Sequence, residues 1–317
     1  GDRMKVVVPT VFTDALLISS TVTEPDATAA GDGVGATVWA SGTSYAAGAI
    51  VVRAETHRRY RSVDNGNIGN VPENTLATTP PRWVDLGNTN RWRMLRTNGS
   101  TPTSAPSPLI VEVMPGRRVQ TIAIPNVRAD SILIEQIDPA TDEVVFEYEQ
   151  QLLTYDPVNW YEYFYGEFGA VSSVLVAGLL PISNSRIRVT LTRATGNVQS
   201  GPIVLGNEIS MGSVEQGAKV GAIDFSQVDR DAFGGLLVTP RRVVPEMQVR
   251  TIFPAGAIEK IRQTMYSLGT TVALWSGIDE PGHPYFESLF VLGLARRWDI
   301  SEDEYNHAYL TLDIEGF

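Results

Sequence analysis

Short runs of β-branched and other apolar residues, each followed by turn-forming residues, recur through the middle of the chain. They occupy residues 109–114, 120–124, 131–136, 143–148, 186–192 and 203–205. The segments between them hold Asn, Asp, Pro and Gly, which satisfy turn geometry locally. Runs of this length and spacing are typical of antiparallel sheets with short connections. They predict a β-sandwich body over residues 109–205.

The composition agrees with a folded, turn-rich chain. Hydrophobic residues make up 43% of the 317 residues and charged residues 19%, with 28 Gly and 19 Pro, so a mainly β protein with more than one core is expected. The absence of cysteine excludes disulfides and thiolate metal sites. The most apolar stretch, residues 170–182, is too short to cross a bilayer and contains Pro181, so no membrane insertion is expected.

Two linker-like segments divide the chain. Residues 23–36 are small, polar and glycine-rich, and residues 97–108 are rich in Ser, Thr and Pro. Between them lies a stretch of sixty residues, 37–96, which we call the insert. The predicted organisation is an N-terminal strand and linker (1–36), the insert (37–96), a second linker (97–108), the sandwich (109–205) and an α+β domain (206–317).

The last of these segments contains one helical pattern. Ile258, Ile261, Met265 and Leu268 step by three, four and three residues, which places them on one helix face, and Gly269 is a typical helix end. Flanking runs at 243–253, 270–275, 288–294 and 309–314 predict strands. We therefore expect one helix against a small sheet, within a fold that is mainly β with a smaller α+β part.

Charge is unevenly placed. The chain carries a net charge of -11, which opposes binding to nucleic acid. The insert holds eight arginines against four acids, a charge of +4, so the rest of the chain carries -15. A basic insert favours an anionic surface glycan as ligand. The alternative is that its arginines cover aromatic faces and pair with the few acids.

The sequence offers few groups for catalysis. The histidines at 57, 283 and 307 fit no zinc-protease spacing, no nucleophile-elbow motif exists, and the three lysines form no phosphate loop. Two carboxylates would suffice for a glycosidase, and the candidates are Asp279, Glu280, Asp299, Glu302, Asp303 and Glu304. Acid clusters beside Pro, Gly and Ser are usually solvated turns. No catalytic residue, cofactor or metal ion is predicted.

Large aromatic residues are concentrated in the insert. Sugar rings stack on exposed Trp and Tyr faces, which makes these five residues candidates for carbohydrate binding: Trp39, Tyr45, Tyr60, Trp83 and Trp92. The alternative is that they form the core, because a domain of this size needs some of them inside. A second aromatic cluster, residues 160–168, is a ligand platform, an interface anchor or part of the core.

The insert resembles the chitin-binding modules of carbohydrate-binding families 5 and 12. The pattern is carried by Trp39, Tyr45, Gly48, Val51, Tyr60, Pro72 and Trp83. The resemblance implies a small β module that binds polysaccharide. The stretch after Tyr60 departs from the pattern, because it reads Arg-Ser-Val-Asp-Asn-Gly-Asn where such modules often carry exposed aromatics.

Residues 109–317 resemble a group of tail proteins of long-tailed bacteriophages and prophages. The similarity rests on the order of short motifs at residues 221–226, 231–234, 241–244, 272–275, 289–293 and 312–316. It implies a homo-oligomeric component of the tail tip or baseplate, assembled in the bacterial cytoplasm with other tail proteins and present in the virion.

Three hypotheses follow. The first is a non-catalytic tail protein whose insert binds host-surface polysaccharide. The second is a polysaccharide-active hydrolase with an accessory binding module. The third is a structural protein whose insert makes protein contacts alone.

Overall fold

The computed structural model describes residues 3–154, 169–230, 235–278, 280, 283, 285–302 and 306–316. The predictions for the aromatic cluster 160–168 and for Asp279, Asp303 and Glu304 lie outside these ranges. The described part contains 25 strands and one helix longer than a single turn, which confirms the mainly β fold with a small helical part. No helix in the described residues is long and apolar enough to cross a membrane.

The first twelve strands, in chain order, are β1 (Arg3–Val7), β2 (Leu17–Ser20), β3 (Thr37–Val38), β4 (Ile50–Arg53), β5 (Arg58–Ser62), β6 (Trp83–Asn88), β7 (Thr103–Ala105), β8 (Leu109–Val113), β9 (Thr121–Ile124), β10 (Ser131–Ile137), β11 (Val144–Gln151) and β12 (Leu153–Thr154). The others are β13 (Gly169–Ala170), β14 (Val174–Ala177), β15 (Arg186–Thr192), β16 (Val198–Ser200), β17 (Val204–Gly206), β18 (Glu208–Val214), β19 (Lys219–Asp224), β20 (Gln227–Arg230), β21 (Leu236–Thr239), β22 (Val243–Pro254), β23 (Ala273–Ser276), β24 (Phe290–Ser301) and β25 (His307–Gly316). The α-helices of the described residues are α1 (Asn90–Arg93) and α2 (Ile258–Leu268), and short 3-10 turns occupy Asp14–Leu16, Pro72–Asn74, Ala255–Ala257 and Glu287–Leu289.

The chain forms two compact units. One consists of Gly1–Pro9 with Val204–Phe317, and the other of Thr10–Ile203. The predicted linkers, the insert and the strands of the predicted sandwich up to Ile203 thus belong to one unit. The boundary after Ile203 lies two residues before the predicted one.

The unit of residues 1–9 and 204–317 is built on a closed barrel. Its sheet runs in the order β18-β1-β23-β24-β25-β22-β19, and β18 also pairs with β22. This additional pairing closes six antiparallel strands into a ring and leaves β19 outside it. Alternate residues of β25, from Ala308 to Ile314, are fully buried, as expected for a strand with one face in a core. We call this unit the barrel unit.

The helix of the barrel unit agrees with the prediction. α2 buries Ile261, Met265 and Leu268, with Ile258 half-buried on the same face. Gly269 ends the helix with a positive φ of 48°, and its N–H donates to the carbonyl of Met265 at 3.1 Å. Such a conformation is open to glycine at little cost, which explains why the helix ends there.

A two-stranded ribbon, β20 with β21, continues from β19 and β22, and we call it the arm. Val228 pairs with Val238 and Arg230 with Leu236, so these four side chains share one face. Every described side chain of both strands is exposed, including Val228 at 60%, Leu236 at 63% and Val238 at 52%. The arm therefore presents exposed apolar side chains on one face.

The other unit contains a five-stranded antiparallel sheet in the order β11-β10-β15-β8-β2. β10 and β15 alternate buried and half-buried residues, which confirms that one face of this sheet packs into a core. The predicted runs at 109–114, 131–136, 143–148 and 186–192 correspond to β8, β10, β11 and β15. β9 and β14 pair separately, and nearly all of their residues are buried.

One buried polar side chain joins this sheet to the loop before β15. Gln136 is fully buried, and its amide nitrogen donates to the carbonyl of Leu180 and to the hydroxyl of Ser185, both at 2.8 Å. Its amide oxygen accepts the N–H of Leu180 at 2.8 Å. The side chain thus satisfies both backbone groups of Leu180.

We expect Gln136→Ala to lower the free energy of unfolding of this unit by about 2 kcal/mol, because it leaves buried polar groups unpaired. Urea denaturation followed by circular dichroism measures the change. Gln151→Ala, at an exposed position of the neighbouring β11, is the control and should change the value by less than about 0.5 kcal/mol. Equal effects of the two substitutions would contradict the prediction.

Candidate functional site

The insert folds into the four-stranded sheet β3-β4-β5-β6, in which β3 and β4 are parallel. Its core consists of Tyr45, Val51, Tyr60 and Trp83, none more than 6% exposed, and Trp39 packs against them. A domain this small has few residues with which to bury apolar area, and large rings supply most of it. The aromatic pattern found in the sequence is therefore largely the core of the insert.

Three of the five candidate rings, Tyr45, Tyr60 and Trp83, are fixed inside this core. The Tyr45 and Trp83 rings meet edge to face, with centroids 5.5 Å apart. The Tyr45 hydroxyl accepts the N–H of Ala40 at 2.8 Å, and the Trp83 indole N–H donates to the carbonyl of Asn70 at 3.0 Å. Burial raises the pKa of Tyr60. These rings offer no exposed face for stacking on a sugar.

The fourth candidate, Trp92, lies in α1 and is 1% exposed. The His57 ring stacks on it with centroids 3.8 Å apart, and the Arg96 guanidinium lies 5.1 Å from its centroid. Its indole N–H donates to the Glu24 carboxylate at 3.1 Å. Trp92 therefore joins the insert to residues before it and presents no platform to solvent.

The fifth candidate, Trp39, is half-buried and retains an accessible part. The Arg53 guanidinium lies 4.7 Å from the centre of its ring, within the range of a cation–π contact. Arg53 is held in place by Glu73, 3.0 Å away, and Glu55, 3.5 Å away. We call Trp39, Arg53 and Glu55 the Trp39 patch. It combines an aromatic ring with charged hydrogen-bonding groups, which are the two elements that sugar recognition needs.

Residues 23–36, predicted as a linker, instead make buried hydrogen bonds with the insert. Asn90 is fully buried, and its N–H donates to the Asp32 carboxylate at 2.6 Å. Its side-chain amide donates to Asp26 and to the carbonyl of Ser104, both at 2.7 Å, and accepts from Ser104 N–H and the Arg93 guanidinium. The amide thus makes all the hydrogen bonds that it can, and these join residues 23–36, the insert and residues 97–108.

Asp32 is the most deeply placed acid of this network. Burial raises its pKa, whereas the N–H groups of Asp26 and Asn90 and the positive charges of Arg93 and Arg59 act in the opposite direction. The carboxylate receives 2.8 Å and 2.6 Å hydrogen bonds from those two N–H groups. Asp32 therefore serves as an acceptor that fixes the turn before the insert.

The acids of the insert neutralise some of its arginines. Arg53 pairs with Glu55 and Glu73, Arg58 with Asp85 at 2.7 Å, and Arg82 with Asp64 at 2.7 Å. These pairs use all four acids of the insert. Within the described residues, the other five arginines form no salt bridge: Arg59, Arg61, Arg91, Arg93 and Arg96. Part of the positive charge predicted from the sequence is thus left without an ionic partner.

The candidates for catalysis do not converge. His57 lies 3.2 Å from Glu24 and 3.1 Å from Asp14, and stacks on Trp92 as described, so its contacts join the insert to the preceding segment. Glu280, Asp299 and Glu302 are exposed. Among the described residues no group of three or more His, Asp or Glu side chains is placed to hold a metal ion.

Sequence reasoning missed the network around Asn90. Its members are common polar residues in segments of low complexity, and their partners lie up to 64 positions away. The usable signal was the presence of three acids, Glu24, Asp26 and Asp32, in a stretch made mostly of small residues.

We expect Asn90→Ala to destabilise the unit by about 3 kcal/mol, because it removes the hydrogen bonds that the buried Asn90 amide makes to Asp26, Arg93 and the backbone of Ser104. Thermal and urea unfolding measure the loss. The matched control is Asn74→Ala, at an exposed asparagine of the same insert, for which a change below about 0.5 kcal/mol is expected. A neutral Asn90→Ala variant would contradict the role assigned to the network.

No protein-family model matches this chain, and no curated protein shows significant sequence similarity to it. Its function is therefore inferred from its own residues.

Proposed function

We propose that the chain is a non-catalytic structural protein of a bacteriophage tail tip or baseplate, which assembles with copies of itself and displays the insert toward host-surface polysaccharide. The observation that carries the assembly half is the apolar face of the arm. The glycan half rests on the resemblance of the insert to carbohydrate-binding modules, on its basic charge and on the Trp39 patch.

The arm is suited to protein contacts. An isolated two-stranded ribbon is marginally stable in water, and Val228, Leu236 and Val238 expose apolar area on one face of it. Covering this face with a partner would both stabilise the ribbon and remove the apolar side chains from water. A second copy of the chain is the partner that a repeating tail structure supplies, and closed symmetric rings are the common outcome of such contacts.

The Trp39 patch is suited to a sugar. Trp39 is half-buried, so a sugar ring can contact it, and Arg53 and Glu55 lie next to it as hydrogen-bonding groups. With four of the five candidate rings buried, binding through one ring implies weak affinity per module. A symmetric oligomer of the chain compensates for the weak binding of each module, because linked sites bind with high avidity.

The assembly half is tested with Val228→Lys combined with Val238→Glu. The two positions are cross-strand partners, so opposite charges support the ribbon while removing its apolar face. Light scattering after size-exclusion chromatography should show an oligomer for the unaltered chain, and for the variant an association at least about tenfold weaker, or about 1.4 kcal/mol.

Gln227→Lys combined with Thr239→Glu is the matched control, because this pair lies on the opposite face of the arm. It should retain the oligomer. An unaltered chain that is monomeric at all concentrations would contradict the assembly half.

The glycan half is tested with Trp39→Ala in retention assays on insoluble chitin, cellulose and purified peptidoglycan. We expect the unaltered chain to be retained on at least one of them and the variant to bind about tenfold more weakly, since stacking on the indole is lost. Tyr266→Ala, at a 67% exposed ring outside the insert, is the control and should bind as the unaltered chain does.

Assays for released sugar in the same samples address the hydrolase hypothesis, and release of soluble sugar would contradict a non-catalytic role.

A further inference from the structure

A small pocket at the edge of the insert is lined by three arginines. It has a volume of about 70 Å³, and its wall includes Arg58, Arg59, Arg93, Asn88, Asn98 and Thr101. No carboxylate is among these lining residues. Since one water needs roughly 10–15 Å³ of such space, the pocket has room for a group of a few heavy atoms and is too small for a sugar ring. Asn98 and Thr101 are exposed, so it is reached from solvent on their side.

Each of the three guanidinium groups is held in place by hydrogen bonds. Arg58 pairs with Asp85, whose other oxygen accepts the N–H of Gly87. Arg59 donates to the carbonyls of Leu86, Gly31 and Asp32, at 3.2 to 3.4 Å. The guanidinium groups are thus oriented before any ligand arrives, which reduces the entropy that binding would cost.

Arg93 is the most buried of the three, at 6% exposed. It donates to the carbonyl of Gly31 at 2.9 Å and to the side-chain oxygen of Asn90 at 3.2 Å. Desolvation, followed by repulsion from Arg59, lowers its pKa to about 10, so it stays charged at neutral pH. Asp32 and Asp26, which are not among the lining residues, attract it without forming a salt bridge to it in the described part of the chain.

Two neighbouring guanidinium groups held mainly by neutral carbonyls favour the entry of an anion. Guanidinium N–H groups match the oxygens of phosphate, sulfate and carboxylate, and the side-chain amides of Asn88 and Asn98 add uncharged polar groups at the same wall. Asn88 donates to Asn98 at 2.8 Å, which fixes the orientation of both amides.

We propose that this pocket binds a single oxyanion group, a phosphate, sulfate or carboxylate, through Arg58, Arg59 and Arg93. The proposal that the pocket binds an oxyanion does not depend on the proposed function. The further step, that this oxyanion is a substituent of a charged surface polysaccharide, rests on the proposed function. The insert would then combine two contacts, with the indole of Trp39 meeting a sugar ring and the pocket receiving a charged substituent.

A purely structural role is the competing explanation, because Arg59 and Arg93 also tie Gly31 and Asp32 to the insert. Substituting these arginines would disturb both roles together. A substitution at Thr101 tests anion binding alone, because Thr101 lines the pocket and is exposed. Thr101→Glu places a carboxylate next to the arginines and competes with an anion, whereas Thr101→Gln introduces a side chain of the same length without the charge.

The test is calorimetric titration of the full chain with inorganic phosphate, at constant ionic strength set with chloride so that general screening is unchanged. We expect saturable binding to the unaltered chain, binding at least about tenfold weaker to Thr101→Glu, and binding within about threefold of the original to Thr101→Gln. Melting temperatures in the same buffers should rise with phosphate in the unaltered chain and not in Thr101→Glu. Absence of saturable binding, or equal binding by Thr101→Glu, overturns the proposal.

Further titrations distinguish the sources of the oxyanion. They compare inorganic sulfate, oligomers of glycerol phosphate, oligomers of galacturonate and the neutral oligomer cellohexaose. Tighter binding of one charged oligomer than of inorganic phosphate, lost in Thr101→Glu, supports a charged polysaccharide as ligand. Binding of inorganic phosphate without binding of any charged oligomer supports the pocket as an oxyanion site and contradicts the claim that its ligand is part of a glycan.

Discussion

The position of the insert depends on the buried side chain of Asn90. Its amide and backbone groups bind the segment before the insert through Asp26 and Asp32, and the segment after it through Thr103 and Ser104. An amide with all four of its hydrogen bonds made at a fully buried position tolerates little displacement, since each broken bond leaves a buried polar group unpaired. The hydrogen bonds of Asn90 therefore position α1, which carries Trp92 and Arg93. Since Arg93 lines the arginine pocket, they also position part of the pocket wall.

Local patterns of the sequence predicted the elements well and their pairing poorly. The helix at Ile258–Leu268 follows from its periodicity, and β8, β9, β10, β11 and β15 lie within a few residues of the apolar runs that predicted them, whereas β14 was not predicted. The sheet of the barrel contains pairs such as Val6 with Trp275, which lie far apart along the chain. Such partners are chosen by the fit of whole faces in the folded protein, and a single sequence carries no local mark of them.

The sequence also does not show which aromatic residues of the candidate site are buried and which are accessible to a ligand. A ring such as Trp83 in the core of the insert and a ring that binds sugar have the same residue type and the same β context, so spacing does not separate them. Burial does, and it assigns Tyr45, Tyr60, Trp83 and Trp92 to packing while leaving Trp39 partly accessible. The departure after Tyr60, where arginine and asparagine follow, was the sequence signal that pointed away from aromatic stacking.

With four of the five aromatic rings buried, the charged side chains are the main groups with which the insert can bind a ligand. All four of its acids are used to pair three arginines, and a further pair, Arg59 and Arg93, is placed side by side against backbone carbonyls. The insert is the basic part of an otherwise acidic chain, which favours an anionic ligand for it. An aromatic contact supplies affinity for many sugars alike, whereas an oriented arginine pocket discriminates by charge and shape. Under the proposed function, the arginines of the insert would therefore set its selectivity, and the contact with Trp39 would hold whichever polysaccharide they accept.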